Sequence, residues 1–446
     1  MRKTKFILPL VALLGLGVTA SLSSCGDNRT KVIFWHTMGK SNQEKLDAMI
    51  EDFEEMYPNI KIEHAQQGNY PDIESKLLKA IPARTVPTMA FCYADHVAGY
   101  GNNTVDLTPY VTDPEIGLSA EDAADYIQGY WNEGKQYARE GLYSVPYSKS
   151  TEVMFYNNTK FQKHGWEVPT TWDEMWDLCR EIKKEYPEST PLGYDSDDNL
   201  FITFCAQYGI PYTSIVDGKG KFDFDNPQAR AMVQELKGYY DEGLFVTKGC
   251  LPNNTYTSTK FKNQELFMSI GSTGGTSYNI PEEDSDGNFA FDAQVAQIPQ
   301  ARQNADQSAK QISQGPSICF FKNSKISEEQ VRASWLFYKH ITNSENSAIY
   351  SILTGYEPVR TSSYETDMYK DHLAKLGTEF ETLYTRVATL TATAEIQEAY
   401  FSSPAFKGSS AARQQCGGII TQVLLDNKTI DQAFADAMAQ CALAAI

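Results

Sequence analysis

The stretch VIFWHTMGKSNQEKLDAMIEDFEEMYPNIKIE, residues 32–63, indicates the fold class of the chain. Its first four residues form an apolar run that is short enough to be a buried strand. Ser41-Asn-Gln-Glu44 has the pattern of a capping box, which satisfies free backbone N–H groups at a helix start. Apolar residues then recur at helical spacing until Pro58, and residues 60–63 alternate like a strand. The stretch therefore predicts strand, helix, strand, the repeating unit of an α/β layer.

This alternation continues along the chain and then restarts. A second capping box, Thr171-Trp-Asp-Glu174, and Pro227 directly after Asn226 mark two further helix starts. Other candidate strands are 88–93, 153–156, 266–270 and 317–321, and helical patterns cover 331–341 and most of 373–446. No Pro/Gly/Ser-rich linker separates the two sets of elements. The pattern predicts two α/β lobes joined by crossing segments.

The N-terminus has the pattern of an export signal. Basic residues at positions 2, 3 and 5 precede the apolar run 6–18, which is shorter than the roughly 20 residues of a spanning helix. Leu22-Ser-Ser-Cys25 resembles the lipobox of bacterial lipoproteins, in which the cysteine is lipidated. We therefore expect a signal peptide over 1–24, a tether over 25–30, and an exported domain anchored through Cys25 to the outer face of a membrane. An ordinary secretory signal is the alternative.

The charge of the chain excludes one class of partner. The net charge is −18, and because residues 1–24 hold three basic and no acidic side chains, the remainder carries −21. Nucleic-acid binding requires clustered lysine and arginine side chains. We therefore expect no nucleic acid among the partners.

Cysteines and histidines show no spacing typical of a metal site. With Cys25 assigned to a lipid, seven of the eight cysteines remain, none in a CxxC pair and most within apolar runs. We interpret these as small buried side chains. The six histidines never fall within one helical turn of each other. The sequence predicts neither a metal nor a cofactor.

Sequence motifs for catalysis are missing. The chain contains no GxSxG, HExxH, Walker A or GxGxxG motif. The cluster Asp195-Ser-Asp-Asp198 could supply a carboxylate for glycoside hydrolysis, but no second carboxylate is marked as its partner. Residues 282–288 resemble a calcium loop, yet Ala293 stands where a bidentate carboxylate is needed. The Gly-rich turn 271–275 suits a phosphate or sugar oxygen, or is a plain turn after a strand.

An ordered set of short motifs matches a known family. The motifs are Phe34-Trp35-His36-Thr-Met38, Gly68-Asn-Tyr70, Val153-Met-Phe-Tyr-Asn157, Pro169-Thr-Thr-Trp-Asp-Glu174, Phe222-Asp-Phe-Asp-Asn-Pro227, Gly315-Pro-Ser317 and Thr354-Gly-Tyr-Glu-Pro-Val-Arg360. In this order they resemble the extracellular solute-binding proteins of ABC importers, which include maltose-binding and glycerol-3-phosphate-binding proteins. The resemblance extends from about residue 31 to the C-terminus.

The resemblance implies an α/β fold of the periplasmic-binding-protein type II. In this fold two lobes are joined by crossing hinge segments, and the ligand binds in the cleft between them. It implies that residues 31–147 and 295–345 form the first lobe, and that 148–294 and 346–446 form the second. The protein would capture a solute by hinge closure and deliver it to the transmembrane subunits of an ABC permease, acting as a monomer.

The glycerol-3-phosphate-binding branch also implies ligand-binding residues. Carried over by position, these are Trp35, Tyr70, Asp95, Ser150, Asp195, Asp198, Thr273 (or Ser272), Gly315, Tyr356 and Arg413. Two departures put phosphate binding in question. The tryptophan pair of that branch is replaced by the acidic segment at 195–198, and the branch's arginine aligns poorly, with Arg413 or Lys407 as candidates. The resemblance implies that the solute is a carbohydrate or a glycerol phosphate or phosphodiester, and the two departures favour the carbohydrate.

Two other functional classes stay open from the sequence. An exported carbohydrate-active enzyme would need two clustered carboxylates, and none is evident as a pair. A surface lipoprotein that binds without transport would use the same fold. We expect a binding protein without enzymatic activity.

Overall fold

The computed structural model describes residues 27–137, 139–301 and 309–446. The predicted signal peptide and Cys25 lie outside the described residues. The strands are β1 Thr30–His36, β2 Ile60–Gln66, β3 Met89–Cys92, β4 Val145–Pro146, β5 Glu152–Asn157, β6 Leu192–Tyr194, β7 Thr213–Val216, β8 Lys219–Phe222, β9 Phe245–Thr247, β10 Met268–Ser272, β11 Ala293–Gln297, β12 Gln311–Ile312, β13 Ser317–Phe320 and β14 Tyr400–Phe401.

Helices connect and cover these strands. They are α1 Lys40–Met56, α2 Tyr70–Ala83, α3 Ala94–Tyr100, α4 Thr108–Val111, α5 Ala120–Asp125, α6 Gln128–Glu133, α7 Asn158–His164, α8 Trp172–Glu185, α9 Asp197–Tyr208, α10 Pro227–Asp241, α11 Thr257–Lys262, α12 Glu328–Ile341, α13 Ser344–Thr354, α14 Asp367–Leu373, α15 Leu383–Thr391, α16 Ala394–Glu398, α17 Ser409–Leu424 and α18 Ile430–Ala444. Short 3-10 turns occur at Gly101–Asn103, Lys248–Cys250, Pro252–Asn254, Thr273–Asn279 and Thr361–Glu365.

Two five-stranded sheets form the centres of two lobes. The first has the strand order β2-β1-β3-β13-β4, in which β1 runs parallel to β2 and β3, and β13 runs antiparallel to β3 and β4. The second has the order β11-β5-β10-β6-β9, in which β10, β6 and β9 are parallel and β5 is antiparallel to both of its neighbours. Strand β13 thus joins the first sheet although it follows the whole second sheet in sequence.

Each sheet has its own hydrophobic core. The core of lobe 1 draws its buried side chains from residues 32–147 and 318–359 and includes Phe34, Phe91 and Trp335. The main core of lobe 2 uses residues 154–298 and 412–441 and includes Trp172 and Phe201. The central strand β3 is fully buried and apolar, which explains why it reads as a continuous run in the sequence, whereas the edge strand β2 alternates between buried and exposed residues.

The two lobes are joined by extended segments that run side by side. The backbone N–H and C=O groups of Lys149 pair with those of Glu357, and those of Ser150 pair with Gln314. A further parallel pair, β12 and β14, lies beside them. The segments that connect the sheets therefore hold each other by main-chain hydrogen bonds, while each core stays within its own lobe.

Most local predictions agree with the structure, and one does not. The capping box at Thr171 is present with both of its hydrogen bonds, and Asn226 caps α10 with Pro227 in the first turn. The predicted box at Ser41 is wrong, because the N-cap of α1 is Gly39, two residues earlier, and it makes no side-chain hydrogen bond. Residues 282–288 form an exposed turn closed by hydrogen bonds to Asp284.

The cysteines after Cys25 all have free thiols. Six are buried, and Cys250 is half-buried. This agrees with their interpretation as small apolar side chains and answers the question of pairing that the sequence left open. Over the described ranges, none of the helices has the length and apolar character that a membrane crossing requires.

Candidate functional site

A cleft with a cavity of about 640 Å³ lies where the two lobes meet the crossing segments. Its volume lies in the range of sites that enclose small molecules. The side chains that line it come from all three parts of the fold. Lobe 1 contributes Asn69, Tyr70, Pro71 and Tyr93; the crossing segments contribute Ser150, Gln314, Gly315 and Tyr356; and lobe 2 contributes Glu152, Asp195, Ser196, Asp198, Asn199, Lys248, Tyr256, Ser258, Thr259, Gly271, Ser272, Gly274, Gly275, Tyr278 and Arg413.

Two further cavities adjoin the cleft. An outer cavity of about 440 Å³ shares Tyr70 and Tyr356 with the cleft and extends to the loop at residues 37–42 that precedes and begins α1. An inner cavity of about 60 Å³ shares Arg413 with the cleft and reaches Asp95 and several serines beside the crossing segments. The site is therefore elongated, with a narrow polar end at the hinge and a wider aromatic end at the mouth.

The wall formed by lobe 1 is aromatic. Tyr70 is the first residue of α2, whose start is fixed by a capping box between Asn69 and Asp72. Tyr93 follows β3 directly, and its ring stacks on that of Tyr70 with centroids 4.2 Å apart and planes 25° apart. A carboxyl end of a parallel strand is a usual place for ligand contacts in α/β sheets. The stacked pair presents a flat apolar surface bearing two hydroxyl groups.

The wall formed by lobe 2 is charged and internally paired. The Nε of Arg413 on α17 lies 2.7 Å from a carboxylate oxygen of Asp198 on α9, and its guanidinium also donates to the side-chain oxygen of Asn199. Burial opposes ionisation of Arg413, but the carboxylates of Asp198 and Asp95 raise its pKa above the ordinary value. Arg413 is thus held as a fixed cation at the junction of the cleft and the inner cavity.

A buried carboxyl group supports this wall from behind. Glu152, at the start of β5, accepts hydrogen bonds from Asn199 Nδ2 at 2.9 Å and from the Tyr194 hydroxyl at 2.5 Å. Burial raises the pKa of Glu152 to about 7, although both of these hydrogen bonds act in the opposite direction. Because the amide nitrogen of Asn199 is turned toward Glu152, its oxygen is left to face Arg413.

The acidic segment at 195–198 has three separate roles. Asp195 accepts from the backbone N–H and the hydroxyl of Thr257, at 2.5 and 2.6 Å, while lining the cleft. Burial raises its pKa. Asp197 accepts from Thr247 and from the backbone of Gly249, and so ties α9 to the end of β9. Asp195 and Asp198 therefore face the cleft, whereas Asp197 is structural.

Glycines allow the crossing segment to approach the Gly-rich turn. A Cβ at Gly274 would lie 2.6 Å from the ring of Tyr356, so only glycine leaves room for that ring against the turn. Gly355 has φ +79°, and a Cβ there would lie 2.5 Å from the carbonyl oxygen of Thr273. The turn at 271–275 thus positions Tyr356 in the cleft.

The structure brings seven of the ten predicted site residues together in the cleft: Tyr70, Ser150, Asp195, Asp198, Gly315, Tyr356 and Arg413. Asp95 lines the inner cavity. Thr273 is fully buried behind the turn, whereas its alternative Ser272 lines the cleft. Trp35 packs against the lobe 1 core and does not line these cavities. Between the two candidate cations, Arg413 reaches the cleft, and Lys407 is exposed beside the C-terminus.

Sequence reasoning missed several residues of the cleft. Glu152 is a charged side chain inside an apolar strand pattern, a signal that was present in the sequence. Tyr93 falls at the end of a predicted strand, where ligand contacts are common. Lys248 and Tyr256 lie in a region without a regular pattern, and the ammonium of Lys248 lies 3.8 Å from the centroid of the Tyr256 ring. No local signal joins those two residues to the site.

The arrangement suits a polar ligand with flat faces. Tyrosine rings offer stacking surfaces, while Arg413, Asp195 and Asp198 offer charge-assisted hydrogen bonds. Within the described ranges no group of three His, Cys, Asp or Glu side chains has the geometry of a metal site.

Comparison with known proteins identifies the family. A model of the bacterial extracellular solute-binding protein family matches residues 48–376, most of the chain. The chain belongs to this family. It is 25% identical over 368 residues, 78% of this chain and 79% of the relative, to the sn-glycerol-3-phosphate-binding periplasmic protein UgpB of Salmonella typhimurium. The predicted solute-binding function is thereby confirmed.

Solved structures show the same fold. UgpB from Mycobacterium tuberculosis in complex with glycerophosphocholine superposes with a TM-score of 0.74 at 17% identity, covering 93% of this chain and 98% of that one. The substrate-binding protein Lmo0181 from Listeria monocytogenes in complex with cycloalternan gives a TM-score of 0.73 at 16% identity, with 93% and 98% coverage. The two-lobed periplasmic-binding-protein type II prediction is confirmed.

Proposed function

We propose that this solute-binding protein captures a carbohydrate, or a glycerol phosphate or phosphodiester, in the cleft between its lobes, with the carbohydrate favoured. The observation that carries the choice is the pairing of Arg413 with Asp198. The guanidinium of Arg413 is already paired with a carboxylate at 2.7 Å. It therefore attracts a phosphate much more weakly than an unpaired cation would. Asp195 and Asp198 repel a phosphate and accept hydrogen bonds from hydroxyl groups.

The names of relatives support both ligand classes. The Salmonella relative is named for sn-glycerol-3-phosphate, and the Listeria structure holds the sugar cycloalternan. Lys248, which stacks on Tyr256 and joins no ion pair among the described residues, is the observation that favours an anionic ligand as the second candidate. An ammonium in this position would attract a phosphate or carboxylate substituent on the side of the cleft lined by Tyr256.

The remaining parts of the proposal concern the protein as a whole. We propose that residues 31–147 and 295–345 form the greater part of the moving body of lobe 1, and that 148–294 and 346–446 form the greater part of that of lobe 2. At the edges of these bounds, strand β11 continues in the second sheet to Gln297, and Tyr350 and Val359 pack in the core of lobe 1. Closure of the lobes buries the solute, and the closed monomer delivers it to the transmembrane subunits of an ABC permease. Signal cleavage before Cys25 and lipidation of its thiol would hold the protein at the outer face of the membrane. The protein turns over no substrate.

A thermal-shift screen tests the ligand class. The chain beginning at residue 26 is heated with neutral mono- and oligosaccharides, glycerol-3-phosphate and glycerophosphodiesters, because a ligand that binds the folded state raises the melting temperature. We expect the largest shift with a neutral sugar. A shift confined to phosphates would replace the carbohydrate by the second candidate, and a sugar that is hydrolysed during incubation would contradict the non-enzymatic proposal.

Membrane fractionation tests the anchor. The full chain with Cys25→Ser is expected to leave the membrane fraction, whereas the unaltered chain is retained there. Retention of the variant would contradict lipidation at Cys25.

A further inference from the structure

A chain of hydrogen bonds runs through lobe 1 from the backbone beside the cleft to the surface. The Met38 backbone N–H donates to Nδ1 of His36 at 3.1 Å. His36 Nε2 lies 2.8 Å from His64 Nδ1, and His64 Nε2 lies 2.8 Å from a carboxylate oxygen of Asp47. His36 ends β1 and is fully buried, whereas Asp47 is largely exposed on α1. The chain therefore connects a cleft loop to solvent.

The direction of every hydrogen bond in this chain is fixed. A backbone N–H can only donate, so Nδ1 of His36 carries no proton. The proton of a neutral His36 is then on Nε2, which donates to Nδ1 of His64. His64 keeps its own proton on Nε2 and donates it to Asp47. A second proton on His36 would occupy Nδ1, so the Met38 N–H would lose its acceptor and this bond would break.

The Met38 bond holds a loop that belongs to the site. Residues 37–42, which include Met38, line the outer cavity together with Tyr70 and Tyr356. The carbonyl of Met38 accepts from Gln43 Nε2 at 2.8 Å, which connects the loop to α1. Gly39 caps α1 without a side-chain hydrogen bond, so the loop has no cap to replace the His36 contact.

Few charged groups face His36. His64 reaches it from β2, and Asp47 acts on it from α1 through His64. The ring of Phe34, on β1 itself, and the ring of Phe91, on the neighbouring β3, have centroids 5.5 and 6.2 Å from the imidazole. Burial and His64 together lower the pKa of His36 to about 4, with Asp47 opposing them.

We infer that His36 is a positioning residue, which holds the cleft loop at residues 37–42 in its binding conformation and releases it in acid, so that ligand affinity falls there. The inference rests on the proposed function of the cleft. It adds a residue that touches no ligand and a dependence on pH that is separate from the titration of Glu152 and Asp195 in the cleft.

His36→Asn separates positioning from titration. The Asn side-chain oxygen can accept the Met38 N–H as Nδ1 does, but it takes up no proton in this range. The first readout is amide hydrogen exchange of a peptide containing Met38, between about pH 7 and about pH 3.5, corrected for the intrinsic rate. In the unaltered protein we expect the protection of this peptide to fall about tenfold or more, and in His36→Asn to stay constant.

The second readout is the affinity for two probes, maltotriose and glycerol-3-phosphate, by calorimetry over the same range. A single proton with a pKa of about 4 predicts a loss of about fourfold at about pH 3.5 if the protonated form does not bind. Titration of Glu152 and Asp195 in the cleft acts on both proteins, so the difference between their profiles reports His36. The profile of His36→Asn should lack this component.

His340→Asn is the matched control. His340 is a half-buried histidine on α12 whose pKa is lowered by burial, but it contacts the Met49 carbonyl on the far side of α1. Its variant should follow the unaltered protein in both readouts. Asp47→Asn, at an exposed position, should move the acid transition to lower pH, and it keeps the inference testable if His36→Asn does not fold.

Identical pH profiles for His36→Asn and the unaltered protein would overturn the inference, as would an unshifted transition in Asp47→Asn. If neither probe binds at about pH 7, the proposed ligand classes fail, and hydrogen exchange alone then decides the role of His36.

Discussion

The two walls of the cleft recognise a ligand in different ways. Lobe 1 presents the stacked rings of Tyr70 and Tyr93, whose positions depend on one helix start and one strand end. Lobe 2 presents Arg413, Asp198 and Asn199, which are fixed by one another and by the buried Glu152 behind them. The polar groups are therefore pre-organised on one lobe, and closure brings an adaptable apolar surface against them. Directional hydrogen bonds need such a fixed frame, whereas stacking tolerates small shifts.

Removing the cation from the charged wall of lobe 2 should have the largest effect on stability and ligand binding. Arg413→Met leaves the partly buried carboxylate of Asp198 without its cationic partner, with the Ser196 hydroxyl still bound to it. We expect the free energy of unfolding to fall by about 2 kcal/mol, less than for a fully buried pair, and ligand binding to be lost. Denaturant unfolding measures the first and calorimetry the second. Adding Asp198→Asn to this variant should restore much of the stability but not the binding, and a double variant as unstable as the single one would contradict the pairing.

The acid behind this wall should make stability depend on pH. Because the folded-state pKa of Glu152, about 7, exceeds that of an exposed glutamate, its stabilising contribution is complete below about pH 4.5 and is lost as pH rises through 7. Glu152→Gln, which resembles the protonated form, should match the unaltered protein near pH 5. It should be more stable by up to about 3 kcal/mol near pH 9.

Thermal unfolding across this pH range measures that difference. Glu174→Gln serves as a comparison, since hydrogen bonds from Thr170 lower the pKa of that exposed helix-capping carboxylate. Its effect should have the opposite sign, with the variant less stable at neutral pH.

The aromatic wall should affect affinity more than stability. Tyr70→Ala and Tyr356→Ala each remove a ring that lines both the cleft and the outer cavity. We expect each to weaken ligand binding by about tenfold, the value of a stacked aromatic face, with an unchanged fold by circular dichroism. Unaltered affinity in both variants would contradict the assignment of the cleft.

The hydrogen bond that joins the two lobes directly should have the smallest effect on ligand affinity. The hydroxyl of Ser410 on α17 lies 3.0 Å from a carboxylate oxygen of Glu74 on α2, so this bond exists only while the lobes are together. Ser410→Ala should weaken ligand binding by about fivefold, which corresponds to one hydrogen bond of about 1 kcal/mol. Small-angle scattering without ligand should show a larger open fraction, whereas an unchanged profile and affinity would remove the contact from the closing mechanism.

The sequence predicted the parts of this molecule that depend on neighbours in the chain. The capping box at Thr171 and the helix start at Asn226 involve side chains three residues apart, so their pattern is sufficient. The box at Ser41 failed for an equally local reason, because Gly39, two residues earlier, is already the N-cap of the helix.

Predicting the residues of the cleft required more than local sequence patterns. Arg413 meets Asn199 from a distance of 214 positions in the chain, and only the resemblance to a family marked both regions. The roles of Asp195, Asp197 and Asp198 differ because α9 begins at Asp197 and turns these side chains in different directions. The sequence of the acidic segment alone does not show the direction in which each side chain points.

The thiols of the molecule make its motion accessible to measurement. Since six of the seven described cysteines are buried and burial raises the pKa of the half-buried Cys250, the described part of the chain has little reactivity toward maleimide dyes. In a chain that begins at residue 26, one cysteine added at an exposed site on each lobe would therefore take a donor and an acceptor without prior removal of these seven thiols. Energy transfer between them would follow single molecules as they open and close.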